Sequence, residues 1–221
     1  MALAPVAAFG MKRAFQLIPV LSLTLSLGVQ PAVADEPLVL PPLAVLSGDW
    51  NGDDVADAVI LMQGPYDAAD VHVFRGGFRG LEPLLVASDA VYSGSMGGQT
   101  PSLEALTPTS FAINSEQIGM GRTPWMQRIT VAYRGGDFVV AGFTYDFYDR
   151  LDLEHYGHCD VNLLTGDYEK TNGPSDGQHM TEDDAEPSGI PDRVETGRIP
   201  PQSLLLQALT TDFYPAICNS F

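Results

Sequence analysis

The sequence predicts a mainly β, antiparallel protein folded as a single compact domain, and three observations predict it. Apolar runs of strand length recur along the chain, each stopped by glycine or by an acidic turn. Two β-rich runs, Ile129 to Arg134 and Asp137 to Tyr145, flank Gly135-Gly136, the pair that supplies the positive φ a tight hairpin needs. Neither a long helical period nor a repeat of fixed length is present. A propeller-blade-like and a sandwich-like sheet both fit this pattern, with long acidic loops between the strands.

The first 34 residues read as a signal peptide rather than as fold. Lys12-Arg13 precede an apolar run from Ala14 to Leu27, and Ala32-Val33-Ala34 stand before Asp35. That is the order of a basic region, an apolar region and a small-residue cleavage site. The run holds Gln16 and Pro19 and falls short of the roughly 20 residues a membrane-spanning helix needs. Met11 can be the true start, because residues 1–10 add nothing a signal requires. Cleavage after Ala34 is expected, leaving an exported chain, periplasmic or extracellular, with no integral membrane segment.

The elements of that chain follow in order. Residues 35–43 are Pro-rich (Pro37, Pro41, Pro42) and read as an extended arm, with a single β domain over 44–221. Ala58 to Met62 and Val71 to Phe74 are strands, the second ended by Gly76-Gly77. Leu84 to Ala87 and Phe111 to Ile118 follow with weaker alternation. Phe138 to Tyr145 is apolar on both faces, which predicts a central strand covered on both sides. Residues 146–201 are acidic with scattered Gly and Pro, and read as ordered loops with short strands at most. Gln202 to Thr210 fits a strand or a short helix equally well.

Charge narrows the partners. The chain carries 11 basic and 28 acidic residues, a net charge of −17. Removing residues 1–34 takes away Lys12 and Arg13 and no acid. Such a balance opposes nucleic-acid phosphate and anionic membrane surfaces, and it suits cation binding. Cys159 and Cys218 are the two cysteines. In an exported chain an even count reads as one disulfide, and the competing reading of Cys159 as a nucleophile beside His158 lacks further partners.

The informative motif is Asp49-Trp50-Asn51-Gly52-Asp53-Asp54-Val55-Ala56-Asp57, which runs straight into the strand Ala58 to Met62. Oxygen side chains fall at loop positions 1, 3, 5 and 9, and Val55 at position 7 can offer its backbone carbonyl. Calcium takes 6–8 oxygens, which alternating positions of a tight loop can aim inward. Carboxylates crowded this closely repel one another unless a cation neutralises them. With Gly48 ahead of it, this segment resembles the loop-plus-strand unit of FG-GAP and VCBS repeats, the integrin-type calcium-loop family. The resemblance covers about 15 residues and implies structural Ca²⁺ held by Asp49, Asn51, Asp53 and Asp57 with the Val55 carbonyl. Position 6 is Asp54 where the pattern has glycine, and one copy of the unit is present where a propeller has many. The Gly-rich Ser93 to Gly98, the later hairpin and Cys159 to Gly166 are similar to segments of exported bacterial proteins that carry one such loop.

A second acidic loop has EF-hand-like spacing. Asp184, Glu186, Ser188, Ile190, Asp192 and Glu195 occupy positions 1, 3, 5, 7, 9 and 12, with Gly189 at 6. Gly189 to Asp192 also resembles the loops of thrombospondin type 3 repeats. Glu at position 3, Ser at position 5 and the lack of flanking helices favour a solvated acidic loop. His155, His158 and Asp160 could be drawn together on a transition metal, but a further ligand is missing. Sequence motifs for a nucleophile elbow, a Walker loop or a zinc protease are absent. Trp50, Trp125 and Tyr133 read as packing rather than as a sugar platform. Two function classes remain: a non-catalytic exported module binding a protein or glycan, and a small exported hydrolase using acids that sequence does not single out.

Overall fold

The computed structural model describes residues 41–174 and 189–219. The proposed signal peptide, residues 35–40 of the arm and the first three ligands of the second acidic loop lie outside the described residues. Two antiparallel sheets form a sandwich-like β fold. The smaller holds β1 (Pro42–Gly48), β2 (Asp57–Gln63), β3 (Ala68–Gly77) and β4 (Gly80–Tyr92) in chain order. The larger begins with β5 (Ser102–Thr107), β6 (Ser110–Gln117) and β7 (Trp125–Arg134). It continues with β8 (Asp137–Asp149), β9 (Asp152–Asn162), β10 (Asp167–Asn172) and β11 (Arg193–Arg198). Each of these pairs with the next, so each sheet is a meander. The Gly-rich segment Ser93 to Gly98 belongs to the crossing from one sheet to the other.

Burial follows the period of two that pleated strands impose. Val59 and Leu61 of β2, Val71 and Val73 of β3, Phe111 and Ile113 of β6, and Ile129 and Val131 of β7 form one continuous core. The sheet with more strands has an inner face that four strands do not cover, and the C-terminal segment closes part of it. β12 (Leu204–Leu205) pairs with β8 at Val139 and Val140, where β9 has already diverged. Leu206 and Leu209 are buried just beyond it, and Tyr214 packs edge-on to Phe143 and Tyr145. Cys218 closes the cover by bonding Cys159 on β9, as expected from the cysteine count.

Three expectations need correcting. The arm does not extend through residue 43, because β1 starts at Pro42. Proline is tolerated there as the first residue of an edge strand, where no ladder donor is lost. Residues 146–201 are not mainly loop: β9 alone has 11 residues, and β10 and β11 add 6 each. Phe138 to Tyr145 is central as expected but not covered on both sides. From Gly142 onward its outer positions are small or polar, and Thr144 bonds Asp160 at 2.6 Å on an exposed face. Residues 202–210 hold both candidate forms, the two-residue β12 and a 3-10 turn at Leu206–Ala208. The Gly135-Gly136 turn stands as read, with φ of 63° and 101°.

Candidate calcium loop

Residues 49–56 join β1 to β2 and close around the Asp49 carboxylate. Its Oδ1 accepts from the amides of Gly52 (2.8 Å) and Asp53 (3.1 Å), and its Oδ2 from that of Asp54 (3.0 Å). Asn51 Oδ1 accepts from the Asp53 amide at 2.9 Å, and Asn51 Nδ2 donates to Asp53 Oδ2 at 2.9 Å. Asp53 Oδ1 in turn accepts from the Val55 amide at 2.9 Å. Asp49, Asn51 and Asp53 are therefore joined in one hydrogen-bonded set. The backbone reaches this shape through left-handed φ at Gly52 (76°) and Asp54 (63°).

Asp57 stands apart from that set. It is 2% exposed and accepts from two amides, Trp50 at 3.2 Å and Gly76 of β3 at 2.9 Å. The residue read as a ninth-position ligand is thus the post that ties the loop to the sheet. Trp50 is a second tie. Its ring is buried against Phe111 of the opposite sheet, with centroids 5.3 Å apart, so it packs in the core as expected. Among the described residues, no group of three or more His, Cys, Asp and Glu side chains is arranged to hold a metal ion.

The approach of β3 to this loop needs glycine. A Cβ on Gly76 would lie 2.3 Å from the Ala56 carbonyl oxygen, closer than atoms can pack. Gly76→Ala should push β3 away from the loop and weaken the amide bond to Asp57. A loss of about 1–3 kcal/mol is expected, in the range for overpacking. A denaturant titration measures it, and a loss below about 0.5 kcal/mol would mean that the loop shifts freely, with no fixed tie at Asp57.

The remaining candidates separate. Asp192 and Glu195 of the second acidic loop accept from tyrosines, Tyr156 at 2.5 Å and Tyr168 at 2.8 Å, and Glu195 lies within β11. Ile190 is exposed. His158 bonds Asp146 at 2.6 Å and Asp160 bonds Thr144, both on the outer face of the larger sheet. His155, three residues before His158, takes the opposite face and packs against Phe147, so this trio is not brought together. Cys159 and Cys218 are disulfide-bonded with Cα atoms 5.7 Å apart, which removes the thiol nucleophile.

One charged cluster was hidden from sequence reading. The β8–β9 turn buries Asp149, which takes Arg122 in a forked pair, Nε at 2.8 and 2.7 Å and Nη2 at 2.6 Å. The Leu151 amide donates to it at 2.8 Å, and His155 Nδ1 lies 3.5 Å away. The Arg122 guanidinium, with the Leu151 amide and His155, holds the Asp149 carboxyl well below the usual carboxylate range, against the opposing effect of burial. A depressed folded-state value stabilises the fold above the unfolded value of about 3.9 and loses that stabilisation as pH falls below it. Melting temperature measured from pH 6 to pH 2 should therefore fall less steeply in Asp149→Asn than in the natural chain. Equal slopes would show that other carboxylates govern acid unfolding.

No family model, curated protein or solved structure matches this chain.

Proposed function

We propose that this chain is an exported β module whose Asp49–Asp57 loop is a structural calcium loop of the FG-GAP/VCBS type, and that the module binds a protein or glycan rather than catalysing a reaction. The observation that carries the reading is the left-handed backbone at Asp54. Calcium loops turn sharply at their sixth position, usually on glycine, so that the first, third and fifth side chains face inward. Holding an aspartate there costs on the order of 1 kcal/mol, and such strain persists where the surroundings require it. The turn also gathers Asp49, Asn51 and Asp53, whose spare lone pairs and negative charge suit a hard cation. Export is supported by the signal order of residues 1–34 and by the disulfide, which belongs to oxidising compartments.

The alternative reading is a small exported hydrolase using acidic residues, and the His155–Asp149 pair is one place to look for it. Among the described residues no hydroxyl or thiol is hydrogen-bonded to that imidazole, so none of them is paired with it as a nucleophile. The test of the calcium reading is a calorimetric titration of calcium into the exported chain and into Asp53→Ala. One saturable site is expected in the first, with a Kd that can be as weak as about 10⁻⁴ to 10⁻³ M, and none in the second. Equal heats in both would end this reading.

A further inference from the structure

The two outer faces of the sandwich differ in kind. On the larger sheet the outward positions of β7 to β10 include Arg128, Asp146, Asp160 and Glu169, as a solvated face requires. On the smaller sheet Val45, Ile60, His72 and Val86 pair side by side in one row across all four strands. Their strand neighbours, such as Val59, Val71 and Ala87, are the residues that enter the core, so this row faces outward.

The row is apolar where water favours polar side chains. Val45 is 59% exposed and Val86 45%, and Ile60 and His72 are half-buried. The Phe74 ring stacks with His72, centroids 6.4 Å apart, and carries the apolar surface into the next row. That row is Ser47, Ala58, Phe74 and Pro83, so neither row holds Asp, Glu, Lys or Arg. Single exposed apolar side chains need no partner, whereas a contiguous apolar face marks an interaction site.

Charge decides the occupant. The chain carries a net charge of −17, so two copies repel wherever their acids approach within a Debye length, about 8 Å at physiological ionic strength. A basic partner would find its complement on the acidic surfaces and gain nothing from a face without charge. An uncharged face is where two equally acidic bodies can meet with their carboxylates held apart. The acidic segment 175–188 follows β10 and precedes β11 in the chain, and both belong to the other sheet. Size sets the strength. β1 and β2 have seven residues each, and four such strands span roughly 19 by 23 Å, or about 450 Å² on each copy. That is below the roughly 800 Å² a side of a stable complex, so the association is weak.

We infer that the outer face of the smaller sheet docks on the same face of a second copy, in a weak twofold dimer centred on the row Val45, Ile60, His72 and Val86. A twofold axis sets the same apolar side chains on both sides of the contact, and the two sheets pack face to face about 10 Å apart. The inference goes beyond the binding-module reading and rests neither on it nor on calcium.

The test is sedimentation velocity of the exported chain from about 10 μM to about 1 mM, which brackets a Kd of about 10⁻⁴ M. The average mass should rise toward that of a dimer, and amide NMR shifts on dilution should centre on Val45, Ile60, His72 and Val86. Val45→Lys and Val86→Lys each replace an exposed side chain, so melting temperature should stay within a few degrees of the natural chain. Each lysine enters the contact twice and should weaken association about tenfold or more. A lysine also lowers the net negative charge, so an effect of overall charge alone would strengthen association instead. Met126→Lys, on the outer face of the larger sheet, should associate no less than the natural chain. A chain that stays monomeric to about 1 mM, an association that neither lysine at the face weakens, or one that Met126→Lys weakens equally would each overturn the assignment. Dilution shifts on another face, or a monomer whose face is engaged by its own N-terminal arm or by a different protein, would do the same.

Discussion

Calcium at a hundredfold excess over its Kd is expected to stabilise the folded chain by about 2.7 kcal/mol. For a domain of this size that is a rise of about 5–11 °C in melting temperature, at roughly 2–4 °C per kcal/mol. The physical cause is local. Asp49 and Asp53 are gathered in one short loop, where hydrogen bonds from amides and from Asn51 offset their mutual repulsion. A divalent ion would replace that repulsion with attraction in the folded state and find no equivalent site in the unfolded chain.

Two variants separate the roles of these acids. Asp53 lies in the exposed part of the loop, so Asp53→Ala should change the melt in chelator little and abolish the response to calcium. Asp57 is buried and holds the amides of Trp50 and Gly76. Asp57→Ala should cost about 1–3 kcal/mol with or without calcium, because two buried donors lose their acceptor. A natural chain whose melt ignores calcium, or an Asp53→Ala chain that responds equally, would reduce the loop to an acidic turn.

Removing the disulfide is the larger perturbation. Cys159 and Cys218 are 59 residues apart, and closing a loop of that length limits the unfolded ensemble by about 4 kcal/mol in the chain-entropy account. The bond also pins the cover over the inner face of the larger sheet. Both sulfurs are fully buried, so reductant alone should act slowly without denaturant. Cys159→Ala/Cys218→Ala should lose about 4 kcal/mol by denaturant titration. Proteolysis should then cut first near residues 204–219, where β12 holds the segment to the sheet by only two residues. A loss under about 1 kcal/mol would mean that Leu206, Leu209, Phe213 and Tyr214 hold the cover without the bond.

Part of the smaller sheet and one hairpin of the larger were legible because their signals are local. Ala58 to Met62 reads as a strand from composition alone, and the Gly135-Gly136 hairpin from the φ that its turn demands. The acidic third of the chain was not legible for a reason that β9 makes plain. A strand is recognised by apolar residues at every second position, and the inward positions of β9 include His155 and Gly157 as well as Cys159 and Val161. His155 is half exposed and Gly157 carries no side chain, so the apolar alternation fades toward this end of the strand. Arg122 and Asp149 escaped notice similarly, since 27 residues separate them and nothing local links them.

By itself the sequence determined the β class, the hairpin, the pairing of the two cysteines and the composition of the acidic loop, since each depends on residue type, count or short spacing. Only the tertiary structure decided what the loop's last aspartate does. Asp57 meets an amide 19 residues away because β2 and β3 pair antiparallel, and that register places Gly76 where no side chain could fit. The reach of the larger sheet beyond the smaller one was decided at the same level. It depends on how many strands each sheet recruits, which no single segment encodes.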